Sequence, residues 1–132
     1  MKRFISPLFI MISLLVIIGT GCRKEATIYG CMDPSSTNYN PSATIDNGTC
    51  QYTGQAVFWY NSNGSNATVY VGGQTGYITN YYSTYNPNCG SNGCANFTLP
   101  VGSYSFSASS TWSTWSGNIT ITKNGCSKML LN

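Results

Sequence analysis

From Gln51 to the end of the chain every apolar run is short and is followed by a cluster of Asn, Gly and Ser. The runs Ala56 to Tyr60, Ala67 to Val71, Gly76 to Tyr82, Ala95 to Leu99, Ser103 to Ala108, Gly117 to Thr122 and Ser127 to Leu131 are alternating or β-branched, as half-buried strands are. Helical periodicity appears nowhere beyond the first residues, so this segment is predicted to be all-β. Asn63-Gly64 between the first two runs and Pro100-Val101-Gly102 between the fourth and fifth are turn signals, and those neighbours are expected to form hairpins. Alternation pairs Val69 with Val71, Phe97 with Leu99, Tyr104 with Phe106 and Ile119 with Ile121 on the expected core face.

Seven short strands in so little chain favour a seven-stranded antiparallel β-sandwich over a closed barrel. The expected topology is an immunoglobulin-like or transthyretin-like Greek key. The ending Leu-Pro-x-Gly-x-Tyr-x-Phe-x-Ala from Leu99, followed by Trp-Ser-Gly-x-Ile-Thr-Ile from Trp115, resembles the small carboxypeptidase-regulatory-type or prealbumin-like sandwiches appended to surface lipoproteins.

At the other end, Lys2 and Arg3 precede an apolar run from Phe4 to Ile18, which Pro7 interrupts. The run is shorter than the roughly 20 residues a bilayer-spanning helix needs and fits the core of an export signal. The small residues Gly19, Thr20 and Gly21 before Cys22 resemble the lipobox of Bacteroidetes lipoproteins. That resemblance implies cleavage before Cys22 and a diacylglycerol on its sulfur, anchoring the chain to the outer membrane. Gly19 and Gly21 also fit ordinary signal-peptidase cleavage, and either processing exports the chain. The expected organisation is a leader over 1–21, a tether over 22–28 with Arg23, Lys24 and Glu25, a cysteine-bracketed segment over 29–50, and the sandwich over 51–132.

The chain carries six Lys and Arg against three Asp and Glu, with no His. Losing Lys2 and Arg3 with the leader leaves it close to neutral, without a basic patch for nucleic acid.

Residues 29–50 contain almost no side chains that could build a core, so a covalent link must hold them. Cys31 and Cys50 bracket the segment, and a bridge between them would contribute on the order of 3 kcal/mol in an oxidising compartment. Gly-Cys-x-Asp-Pro, Asn-Tyr-Asn-Pro and Asp-Asn-Gly-Thr-Cys together resemble a short repeat of extracellular proteins from marine Bacteroidetes, with Asn47 here where the family usually has a second acid. Asp33, Asn38, Asn40, Asp46 and Asn47 could offer oxygens to a calcium ion. Alternatively Asp33, Asn40 and Asn47 make Asx turns, with Pro34, Pro41 and Gly48 setting the geometry and no ion involved. Further along, Cys89, Cys94 and Cys126 leave one thiol unpaired. Cys89 to Cys126 would tie the last strand to the sandwich, while Cys89 to Cys94 would close a small local ring.

From Gln51 to Asn132 there is no Asp, Glu, His or Arg, and the charged side chains are Lys123 and Lys128. General acid–base catalysis therefore has almost no agents, glycoside hydrolysis lacks its carboxylate pair, and neither lysine sits in a Ser-x-x-Lys pattern. The expected role is non-enzymatic: a structural or adhesion protein of the cell envelope. Tyr77, Tyr81, Tyr82, Tyr85, Trp112 and Trp115 supply aromatic area, of which some is expected to cap the sandwich ends. Tyr81, Tyr82, Tyr85 and Trp112 are the candidates for stacking on a polysaccharide or an envelope protein. Inhibition of an exogenous hydrolase is a third, more remote expectation.

Overall fold

The computed structural model describes residues 24–61 and 66–132. Cys22, the leader and the Asn63-Gly64 signal lie outside them. The described residues contain no helix, and so none long and apolar enough to cross a membrane. Two short strands, β1 (Tyr29–Gly30) and β2 (Ile45–Asp46), pair in parallel within the bridged segment. They are followed by β3 (Thr53–Trp59), β4 (Ala67–Val71), β5 (Gln74–Ile78), β6 (Ala95–Pro100), β7 (Gly102–Ser110), β8 (Thr114–Ile121) and β9 (Cys126–Leu130). These form a three-stranded sheet in the order β6-β3-β9 and a four-stranded sheet in the order β5-β4-β7-β8.

Alternating side chains from both sheets meet in one apolar cluster. Val69, Val71, Phe97, Leu99, Phe106, Ile119 and Ile121 are buried there as their alternation requires. Tyr104 reaches the cluster only in part, because its hydroxyl donates to the carbonyl of Pro100 at 2.9 Å and keeps that end of the ring wet. At the centre, the ring of Phe58 meets Phe97 and Phe106 edge-on, with centroids 5.6 and 5.0 Å away.

Three expectations about connection are corrected. β3 and β4 lie in different sheets, as do β6 and β7, so neither pair is a hairpin. Each apolar face must meet a partner across the core, and links that change sheet achieve this where a hairpin would not. The segment from β3 onward is also not wholly antiparallel: β9 runs parallel to β3, from Gln55 opposite Cys126 to Trp59 opposite Leu130. The chain leaves β8 in the other sheet, turns through Thr122 to Gly125 and enters beside β3 running the same way.

The hairpins that do form are β4–β5 and β7–β8. The first closes over Gly72-Gly73, both left-handed with φ of 57° and 77°, as the tight turn matching strand twist requires. A Cβ at Gly72 would come within 2.6 Å of Leu99 Cδ2, whereas one at Gly73 would meet nothing within 4 Å. Gly73→Ala is expected to cost about 1 to 2 kcal/mol for the left-handed backbone alone. Gly72→Ala should cost more, because Leu99 must also move in a packed core. Urea denaturation of both variants checks this ordering, and equal losses would remove the role given to Leu99.

Candidate functional site

The bridged segment is held as its composition demands. Cys31 and Cys50 form a disulfide with Cα atoms 4.9 Å apart. Around it the polar side chains fold back on their own backbone. Asn40 Oδ1 accepts from the Ser42 amide at 3.0 Å, Asp46 Oδ1 from Gly48 at 2.9 Å, and Asn47 Oδ1 from Thr49 at 3.1 Å. Asn38 acts over a longer range, accepting from the Gln51 amide at 2.8 Å and donating to the Thr49 carbonyl at 2.8 Å. Asp33 Oδ1 accepts from the amide of Ser35 at 2.9 Å. Each of the five candidate calcium ligands thus has a side-chain oxygen accepting from a backbone amide. Among the described residues no three acids, Cys or His gather as a metal site would need.

Asp33 has a second task that its sequence neighbours do not reveal. Its Oδ2 accepts from the Tyr52 hydroxyl at 2.8 Å and from Lys123 Nζ at 2.8 Å, and that ammonium lies 3.8 Å from the centroid of the Tyr52 ring. Lys123 follows β8, so this contact fastens the bridged segment to the sheets. The Lys123 ammonium, followed by Ser35 and Tyr52, holds the Asp33 carboxyl well below the usual carboxylate range, and Asp33 in turn raises Lys123 and Tyr52.

The loop between β5 and β6 commits Tyr82 to structure and leaves Tyr81 and Tyr85 exposed. Val57, Trp59 and Cys94 form a second buried cluster on the side of β3 opposite Phe58, and Tyr82, Cys89 and Leu130 pack against it. The loop is stapled there by the Cys89–Cys126 disulfide, with Cα atoms 5.8 Å apart, and by Lys128 Nζ donating to Asn88 Oδ1 at 2.6 Å. Among the described residues Cys94 is the unpaired thiol, and burial pushes it above its ordinary value. Tyr82 meets the ring of Tyr85 at 5.2 Å, and its hydroxyl is likewise raised by burial. Tyr81 bridges to Tyr60 at the end of β3. Trp112 instead sits at the β7–β8 turn of the other sheet, and 85% of it is exposed. The four candidate aromatics are therefore divided between two sheets. Trp115 packs against Tyr60 at 5.4 Å and donates to the Asn132 carbonyl, a structural use.

Among the described residues, the outer side of the four-stranded sheet has no such cover. Its outward positions are Thr68 and Tyr70 on β4, Thr75 and Tyr77 on β5, every second residue from Ser103 to Ser109 on β7, and every second residue from Thr114 to Thr120 on β8. Every one bears a hydroxyl except Asn118, and none bears a charge. The signal for this face was present as Ser-x-Ser-x-Ser-x-Ser opposite the Tyr104 and Phe106 positions.

No protein-family model matches the chain, and no curated protein matches it. Among solved structures, the Bacillus anthracis TIE protein is similar at 18% identity with a TM-score of 0.41, over 61% of this chain and 16% of that one.

Two outcomes follow from the bridged segment. A carboxylate whose folded pKa is depressed contributes stability that is present above its unfolded value near about 4 and is lost as pH falls through the folded one. Acidification below about pH 4 should therefore weaken the protein, and Lys123→Met should flatten that dependence while carboxyl NMR shows Asp33 titrating closer to its ordinary range. Calcium at about 5 mM, ample for a weak extracellular site, should leave the thermal midpoint unchanged. A concentration-dependent rise would reinstate the ion.

Proposed function

We propose that the chain is an exported, lipid-anchored, non-enzymatic protein of the bacterial cell envelope with a structural or adhesion role, in the manner of Bacteroidetes surface lipoproteins. In this reading the strands from β3 onward are a two-layer sandwich held out from the membrane by the bridged segment and the tether. One observation carries it. The segment from Gln51 to Asn132 lacks Asp, Glu, His and Arg, and its two lysines are both engaged, Lys123 with Asp33 and Lys128 with Asn88. With no side chain free to exchange protons at neutral pH, what the sheets can offer is shape and contact.

Two disulfides are the chemistry of an oxidising, exported location and support the placement outside the cytoplasm. The Asp33, Tyr52 and Lys123 contact supports a spacer fixed to the sheets, a useful property for presenting them in one orientation.

The test is metabolic labelling of producing cells with an alkyne fatty acid. The wild-type chain should carry label and resist release from the envelope, whereas Cys22→Ala should carry none and appear in the medium. Label persisting on Cys22→Ala would defeat the anchor, and turnover of any substrate by the purified chain would defeat the non-enzymatic role.

A further inference from the structure

The two sheets treat their outer sides in opposite ways. The three-stranded sheet is covered by the stapled loop, with Val57 and Trp59 buried beneath it. The four-stranded sheet is bare among the described residues and hydroxylated at every outward position but Asn118, although an ordinary soluble surface is roughly a quarter to a third charged. Solubility alone would be served by Lys and Glu, which natural sheets use freely at exposed positions. We propose that this bare face binds the uncharged, hydroxyl-rich chain of a neutral polysaccharide, a deepening that rests on the envelope-binding role above.

The register builds the site. Tyr70 on β4 lies opposite Ser107 on β7, which lies opposite Ser116 on β8; one step along, Thr68, Ser109 and Thr114 form the next row. On the edge strand, Tyr77 is opposite Thr68, so Tyr77 and Tyr70 are diagonal neighbours. The two rings are 63% and 53% exposed. Beside them is a shallow depression of about 360 Å³, at the lower end of ligand pockets, lined by Tyr70 and these hydroxyl residues. Ser103 and Thr120 hydroxyls pair with each other at 3.1 Å, but among the described residues those of Ser107, Ser109, Thr114 and Ser116 have no protein partner. They remain free to donate and accept.

The chemistry selects the occupant. A hydroxyl both donates and accepts, so it can exchange water for a sugar hydroxyl at little net cost, whereas a covered charge would lose its hydration without a counter-ion. Short serines also have few rotamers to lose on binding, and the tyrosines bring apolar area on two torsions each. Their faces can stack on the C–H side of a pyranose ring. A protein partner fits poorly, since serine is depleted in protein interfaces, and nucleic acid would require cations that the face does not have.

The experiment measures binding of the purified exported chain to surfaces carrying galactomannan, mixed-linkage β-glucan or xylan, with alginate and dextran sulfate as charged controls. At least one neutral glycan should bind. Tyr70→Ala, Tyr77→Ala and Ser107→Asp should each raise its dissociation constant about tenfold or more. Tyr85→Ala, on the covering loop, should not, and unchanged thermal midpoints would exclude misfolding of the variants. The proposal is overturned if none of the three neutral glycans binds, if the charged glycans bind equally well, or if the three face variants bind like wild type. Concentration-dependent dimerisation abolished by Tyr70→Ala would overturn it too, by assigning the face to a second copy. Failure here with normal lipid labelling leaves the envelope role standing, and failure of labelling with glycan binding intact leaves this face standing.

Discussion

β3 is buried on both sides, and the rest of the structure is arranged to make that possible. Ala56 and Phe58 point into the cluster between the sheets, while Val57 and Trp59 point the opposite way and would meet water if the sheet were bare. Burying large side chains on each side contributes on the order of 2 kcal/mol apiece, and exposing them would forfeit it. The long β5–β6 loop supplies the missing cover. It has too little apolar area to stay there unaided, so the Cys89–Cys126 bridge and the Lys128 contact hold it on the sheet. The odd thiol has a simple place in this scheme: Cys94 is one of the buried side chains under the loop, where its small apolar body fits and burial disfavours its thiolate.

Much of this was legible in the residues. β4 begins and ends where its alternation begins and ends, and the paired positions Val69 with Val71, Phe97 with Leu99 and Ile119 with Ile121 are all buried. Strand existence is a local property, set by period-2 patterning and by turn residues. Connection between strands is not. Pro100-Val101-Gly102 reverses the chain, yet it delivers it to the facing sheet, because what decides the partner of β7 is the apolar side of β4 and β8 rather than the turn. The real hairpin signal, Gly72-Gly73, is a textually weaker pair than Asn-Gly but satisfies the same left-handed requirement. The pairing of Cys89 could not be chosen from spacing, since both options were geometrically open and only the parallel placement of β9 brings Cys126 to it.

The polar residues of the bridged segment illustrate the same division. Asx turns are local, and those at Asp33, Asn40 and Asn47 follow from the sequence. The bond between Asp33 and Lys123 spans most of the chain and could not have been read from either neighbourhood. It matters because charge is so scarce here: where few ions exist, one exposed pair that also engages an aromatic ring and a hydroxyl can fix the angle between two segments even though its energetic contribution is modest. The aromatics show the same mixture: in the β5–β6 loop Tyr82 packs against the apolar strand, while Tyr81 and Tyr85 stay exposed.

The parallel pairing of β3 with β9 has a mechanical consequence. Because these strands run the same way, the chain enters at Thr53 at one end of the pair and leaves at Leu130 at the other. Tension drawn between those two points acts along the ladder, loading its hydrogen bonds together in shear rather than unzipping them one at a time, and the cross-link at Cys126 ties the loaded strand to the loop over the sheet. Resistance to such pulling is governed by the rate of unfolding rather than by equilibrium stability.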